Sequence, residues 1–225
     1  MNSAGTAVLA SSTDIQTGTQ DPFEEVFNPN GFPANSRIVI AAVSGAATRA
    51  LHPENFFGER LQIATSGNTR GHNAGPATVG VAAVAWNSAR LGTRPFTGGA
   101  ANPTEIFNSD GPRKMFYNAN GTPITPGNLL FATNGGTTFI KPDIAAADGG
   151  TTRTPGFNPF FGTSAAAPHA AGIAALVKSA KPSLTQQQIY NAMTSTALDI
   201  RAVGIDRDSG YGIVMAPASV AKALQ

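Results

Sequence analysis

Phe161-Gly162-Thr163-Ser164-Ala165-Ala166-Ala167-Pro168-His169-Ala170-Ala171-Gly172 is the stretch that decides the reading of this 225-residue chain. Gly-Thr closes a loop, and the Ala-rich run that follows predicts a helix over residues 164–180. Ser164 falls in its first turn, and Pro168 is read as sitting where first-turn amides need no intrahelical partner. The small residues Ala170, Ala171, Gly172, Ala174 and Ala175 predict close packing of this helix on a buried strand over residues 79–85. A serine so placed faces free N–H groups and the positive end of the helix dipole. That environment suits a nucleophile whose attack creates an oxyanion. An ordinary N-cap serine on a tightly packed helix satisfies the same string.

Downstream, residues 185–195 read as a second helix, with Ser183 or Thr185 as N-cap ahead of Gln188. Residues 216–224 read as a third. Upstream, Val79-Gly80-Val81-Ala82-Ala83-Val84-Ala85 is nearly continuous in apolar residues, as in a parallel strand buried on both faces. Residues 87–136 form a long irregular stretch rich in Gly, Pro and Asn. The first 65 residues read differently. Short apolar or alternating runs at 7–10, 23–27, 37–43 and 60–64, separated by turns and a polar stretch at 11–21, predict a small antiparallel sandwich. The expected architecture is therefore α/β, a mostly parallel sheet flanked by helices over residues 66–225. A partial β-sandwich at 1–65 precedes it.

Composition narrows the function. Charged residues are 12% of the chain, about half of the ~25% usual in soluble domains. The 15 Lys and Arg are scattered and the net charge is +2, which excludes a phosphate-tracking nucleic-acid surface. The absence of Cys excludes disulfides, thiolate metal sites and Cys nucleophiles. The longest apolar runs, at 79–86 and 170–177, are too short to span a bilayer. No basic segment followed by an apolar stretch opens the chain, so no signal peptide is visible. Low charge without cysteine fits a bacterial protein of the cell envelope or the extracellular space.

The string around Ser164 resembles the nucleophile motif of the subtilisin-like serine peptidases, Gly-Thr-Ser-x-Ala-x-Pro-x-x-Ala-Gly, at Gly162, Thr163, Ser164, Ala166, Pro168, Ala171 and Gly172. Other segments match in order. Phe107-Asn108-Ser109-Asp110-Gly111-Pro112 resembles the family's Phe-Ser-x-x-Gly-Pro turn, and Lys141-Pro142-Asp143-Ile144-Ala145-Ala146 its Lys-Pro-Asp-Ile-x-Ala segment. Residues 182–199 resemble its Pro-x-Leu-Thr helix, and Gly210-Tyr211-Gly212-Ile213-Val214 its closing Gly-Tyr-Gly-x-Val. The resemblance implies a serine endopeptidase acting on protein or peptide substrates through an acyl-enzyme on Ser164, with no cofactor. The family's order is Asp, then His, then Ser. No Asp-Ser/Thr-Gly strand end and no Gly-His-Gly-Thr helix start occurs here. The chain thus resembles a C-terminal half, whose Asp and His (or Glu) elements are expected in an upstream half of the same domain. Its alternative is a non-catalytic or truncated module that binds or supports. An independent β module at 1–65 is a third reading.

Two further residues have weighed roles. His72, in Gly71-His72-Asn73-Ala74-Gly75, is a candidate base, set against a structural or cleft role because a strand follows it at once. Asn68, in Ser66-Gly67-Asn68, is a candidate oxyanion donor, set against the favoured reading of a Gly-Asn turn. His169 is expected to pack and His52 to be solvated. Asp143 is expected to order its loop rather than act as an acid. Asp199, Asp206 and Asp208 could supply oxygens to a structural Ca²⁺, although Asp-Arg-Asp-Ser-Gly reads equally as a polar turn. Loops at 109–111 and 157–161 are expected to border the substrate cleft.

Overall fold

The computed structural model describes residues 1–15, 23–43, 45, 47–55, 61–87 and 96–225. Arg60 of one predicted strand, residues 16–21 of the predicted polar stretch and residues 88–95 of the irregular stretch lie outside them. The chain divides into two compact units, Met1–Ala47 and Thr48–Gln225.

All regular elements of the described residues lie in the second unit. β1 (Val81–Ala85) runs parallel to β4 (Ile144–Asp148), with Val81 opposite Ile144 and Ala85 opposite Asp148. On the far side of β4, Ala145 donates to the Gly212 carbonyl and accepts from the Val214 amide. That pairing adds a third parallel segment. β2 (Arg113–Met115) and β3 (Thr137–Phe139) form a separate antiparallel pair. The helices are α1 (Thr163–Ala180), α2 (Gln186–Thr194) and α3 (Ala216–Ala223). Thr185 caps α2 in a reciprocal box with Gln188, which decides between the two candidate caps.

Two glycines explain the Gly-Tyr-Gly string. Gly210 and Gly212 have φ of 61° and 103°, and a Cβ would lie 2.1 Å from the Asp143 carbonyl oxygen and 2.2 Å from that of Leu198, respectively. Only glycine lets these backbones approach so closely.

The core is built on small side chains. Ala83, Ile144, Ala146, Ala166, Ala170, Met193 and Val214 form one buried cluster, joined at its edge by Ile173 and Ala174. The inward stripe of α1 is therefore 166, 170, 173, 174 and 177, the helical spacing of one face. This corrects the expectation for Ala171, Gly172 and Ala175, which are exposed. Each residue advances about 100° around a helix, so Ala171 and Gly172 turn away from the stripe that Ala170 occupies. A Cβ at Gly172 would meet nothing within 4 Å.

The antiparallel sandwich expected over residues 1–65 is corrected too. No strand is formed there among the described residues. Met1 and Arg37 exchange both backbone hydrogen bonds, at 2.8 and 2.9 Å, but no ladder extends from them. Val8, Phe23, Ile38, Val39 and Val43 are exposed. Strands gain stability from a packed face and several paired neighbours, and here the apolar positions of the alternation are left exposed.

Candidate active site

Gly162 is the N-cap of α1, with φ 137° and ψ 157°, a conformation open to glycine. Its carbonyl accepts from the amides of both Ala165 (2.9 Å) and Ala166 (3.2 Å). The amides of Thr163 and Ser164 have no acceptor among the described residues. Ser164 is exposed, and its Oγ makes no hydrogen bond to a described residue. An 18-residue helix thus presents a free hydroxyl beside two free N–H donors. Pro168 is the sixth helical residue rather than one of the first turn. The N–H it lacks is the one that would bond the Ser164 carbonyl.

Asp148, at the C-terminal end of β4, meets this turn from below. It is 0% exposed, and its Oδ2 accepts the Gly162 amide at 2.7 Å. Its Oδ1 is buried without a partner among the described residues. Burial pushes its carboxyl above the ordinary range, against the Gly162 bond and the charge of His169, which hold it down. His169 Nδ1 donates to the Ala147 carbonyl at 2.6 Å, so that ring is tied to the end of β4.

His72 lies in a short 3₁₀ turn, Gly71–Ala74. It lines a cleft of about 460 Å³ together with Thr163, Asn73, Asn108 and Ser109. The ring is exposed, and no described carboxylate orients it. The cleft thus joins the loop at 109–111 to the start of α1, without a hydrogen bond from His72 to Ser164. Asn68 sits in a turn pinned by Asp110, whose Oδ1 accepts the amides of Gly67 (2.9 Å) and Asn68 (3.2 Å). No hydrogen bond brings it to Ser164.

His52 is engaged rather than merely solvated. Its Nδ1 lies 3.1 Å from Arg113 Nη1, and burial, then the Arg113 charge, lowers its pKa. Asp206 accepts from the amides of Asp208 (2.7 Å) and Ser209 (2.8 Å) through Oδ1, and from Ala202 N and Ser209 Oγ through Oδ2. Asp199 accepts from Gly204 N, and Asp208 faces Arg201. These contacts form a polar turn.

A third polar group supports the sheet. Lys141 is 2% exposed, and its Nζ donates to Asp143 Oδ2 and to the Thr78 carbonyl, both at 2.6 Å. Asp143 also accepts from the Gly80 amide (2.7 Å) and from Tyr190 Oη (3.2 Å). It therefore ties the starts of β1 and β4 to α2. Burial, then Asp143, raises the Tyr190 pKa above its ordinary value, so the phenol stays a donor.

The sequence profile of the Subtilase family matches residues 2–212. The chain belongs to the subtilase family. The match extends through the stretch ahead of residue 66, which the motifs alone did not reach. This subtilase is 35% identical over 78 residues to fervidolysin of Fervidobacterium pennivorans, covering 35% of this chain and 10% of the relative. It is 40% identical over 60 residues to the extracellular serine protease of Serratia marcescens, covering 27% and 6%. The crystal structure of fervidolysin, described as a keratinolytic enzyme related to subtilisin, aligns with a TM-score of 0.37 at 24% identity, over 67% of this chain and 20% of that one. The α/β class follows from the family match. The matched segments are a small part of each relative's length.

Proposed function

We propose that this subtilase is the nucleophile-bearing part of a serine endopeptidase. In this reading Ser164 Oγ attacks the carbonyl carbon of a peptide bond. The Ser164 amide, free at the start of α1, donates to the oxyanion of the tetrahedral intermediate. Collapse expels the amine and leaves an acyl-enzyme on Ser164, which water then hydrolyses. The base and its orienting Asp come from an N-terminal half of the same domain preceding these residues. The exposed face of α1 at Ala171, Gly172, Ala175 and Leu176 supports a further packing layer. The chemistry needs no metal and no cofactor. An extracellular or cell-envelope location accords with the low charge, the absence of cysteine and the name of the Serratia relative.

The observation that carries the proposal is the free Ser164 hydroxyl beside unbonded amides at the N-terminus of α1. A fluorophosphonate probe applied to protein carrying the N-terminal half tests it. Labelling at Ser164, absent in Ser164→Ala, supports the peptidase. The second reading, a non-catalytic subtilase module, is favoured by one feature: no described side chain hydrogen-bonds Ser164 Oγ. Silence of the probe in the longer protein would establish that reading instead.

A further inference from the structure

Asp148 is not accounted for by the chemistry above. A buried carboxylate with one unpartnered oxygen is costly to hold, and the part Asp148 plays in the sheet, accepting the Trp86 amide at 3.2 Å, is made by its backbone carbonyl and needs no carboxylate. Its side-chain hydrogen bond to another part of the chain reaches Gly162 N, two residues before Ser164. Above it, Gly149 lies between the Phe161 and Trp86 rings, which a Cβ there would approach to 2.6 and 2.8 Å. Both ends of the loop from 149 to 161 are joined, since Gly149 N donates to the Phe160 carbonyl at 2.8 Å and Phe160 N to that of Gly150 at 2.9 Å. The end of β4 and the start of α1 are thus one rigid junction with Asp148 as its polar contact.

We infer that Asp148 is a positioning residue for Ser164: its buried carboxylate grips the Gly162 amide and fixes the turn from which α1 presents the serine. The inference rests on the reading of Ser164 as the nucleophile, but the clamp is measurable without it. The clamp is strongest when Asp148 is ionised, because a charged acceptor holds an amide better than a neutral one. Two described neighbours bear on its charge. β1 turns no ionisable side chain toward it. From the segment after β1 comes Glu105, whose amide donates to the Ala83 carbonyl at 2.9 Å and whose carboxyl is raised by burial and by the Asp148 charge. From α1 comes His169, whose positive form favours the Asp148 carboxylate. The grip therefore loosens as pH falls through a midpoint above that of an ordinary aspartate.

Nuclear magnetic resonance on the isotope-labelled 225-residue chain tests this between pH 3 and 8. The Gly162 amide, the Asp148 carboxyl carbon and the Ser164 Cβ should titrate together, with a midpoint above 3.8, the unperturbed value. In Asp148→Asn, which keeps the shape, Gly162 and Ser164 should lose that titration and the Glu105 midpoint should fall. In Asp148→Ala, amide exchange at Gly162 should quicken at least tenfold while the Ala170 and Val177 amides keep their rates. A Gly162 amide flat with pH in the unaltered chain, or unchanged in exchange in Asp148→Ala, overturns the clamp whatever the probe reports. A Gly162 signal that titrates while Ser164 stays still also overturns it, as a structural bond with no hold on the serine. Signals that titrate together in a protein whose Ser164 never takes a fluorophosphonate would keep the clamp and remove the nucleophile.

Discussion

Replacing Lys141 by Met takes one charge from the buried cluster at the heads of β1 and β4. At the observed 2.6 Å separation and an effective dielectric of about 20, the Lys141–Asp143 attraction is about 6 kcal/mol. Desolvation of both groups offsets much of that. Losing the lysine alone leaves Asp143, 8% exposed, with the Gly80 amide and Tyr190 Oη as its donors among the described residues. Breaking one side of such a pair costs about 3–5 kcal/mol, and Lys141→Met is expected in that range. Urea unfolding followed at 222 nm measures it, because every helix of the described residues lies in the unit that holds the pair. Adding Asp143→Asn to Lys141→Met should recover part of the loss, whereas Asp143→Asn alone should destabilise. A loss below about 1 kcal/mol, or an Asp143→Asn change of equal size in both backgrounds, would show that the pair is screened and refute the reasoning.

Four other outcomes follow from the same geometry. Gly172→Ala should raise stability by up to about 1 kcal/mol through helix propensity alone, read as an upward shift in the thermal midpoint; a loss would mean that something covers this face. Thr185→Ala removes the α2 box and should cost about 1 kcal/mol in the same urea assay. For Asp148 the folded-state carboxyl titrates above the unfolded one, so its contribution is full below 3.8 and is lost as pH rises through the folded value. Asp148→Asn should therefore gain in midpoint relative to the parent on going from pH 3 to pH 7, and a constant difference would contradict the shift. The 225-residue chain alone should not cleave casein measurably, since no base among the described residues is bonded to Ser164; cleavage lost in Ser164→Ala would point to His72.

Much of this arrangement was legible in the residues. The Ala-rich run, the cap ahead of Gln188 and the closing segment placed α1, α2 and α3 to within a residue or two, and a continuous apolar run placed β1. The Ser164 turn followed from Gly-Thr ahead of an Ala-rich run. The failures share a cause, which is that local pattern does not say what lies opposite. Alternation at 23–27 and 37–43 looked like strands, yet no strand forms there among the described residues. Ala171 and Gly172 looked buried because they are small, but smallness permits close packing without requiring it. Asp148 could have been noticed as the one charge ending Ile-Ala-Ala-Ala-Asp. Its hold on Gly162, 14 residues away, depends on how the intervening loop returns to β4.

The central claim is that Ser164 is a nucleophile. Its most direct measurement is fluorophosphonate labelling of the protein extended through its N-terminal half, with the site mapped by peptide mass. The account predicts a single adduct on Ser164, lost in Ser164→Ala and retained in Thr163→Val. An unlabelled Ser164 in the folded, extended protein, or an adduct on another residue, would contradict it.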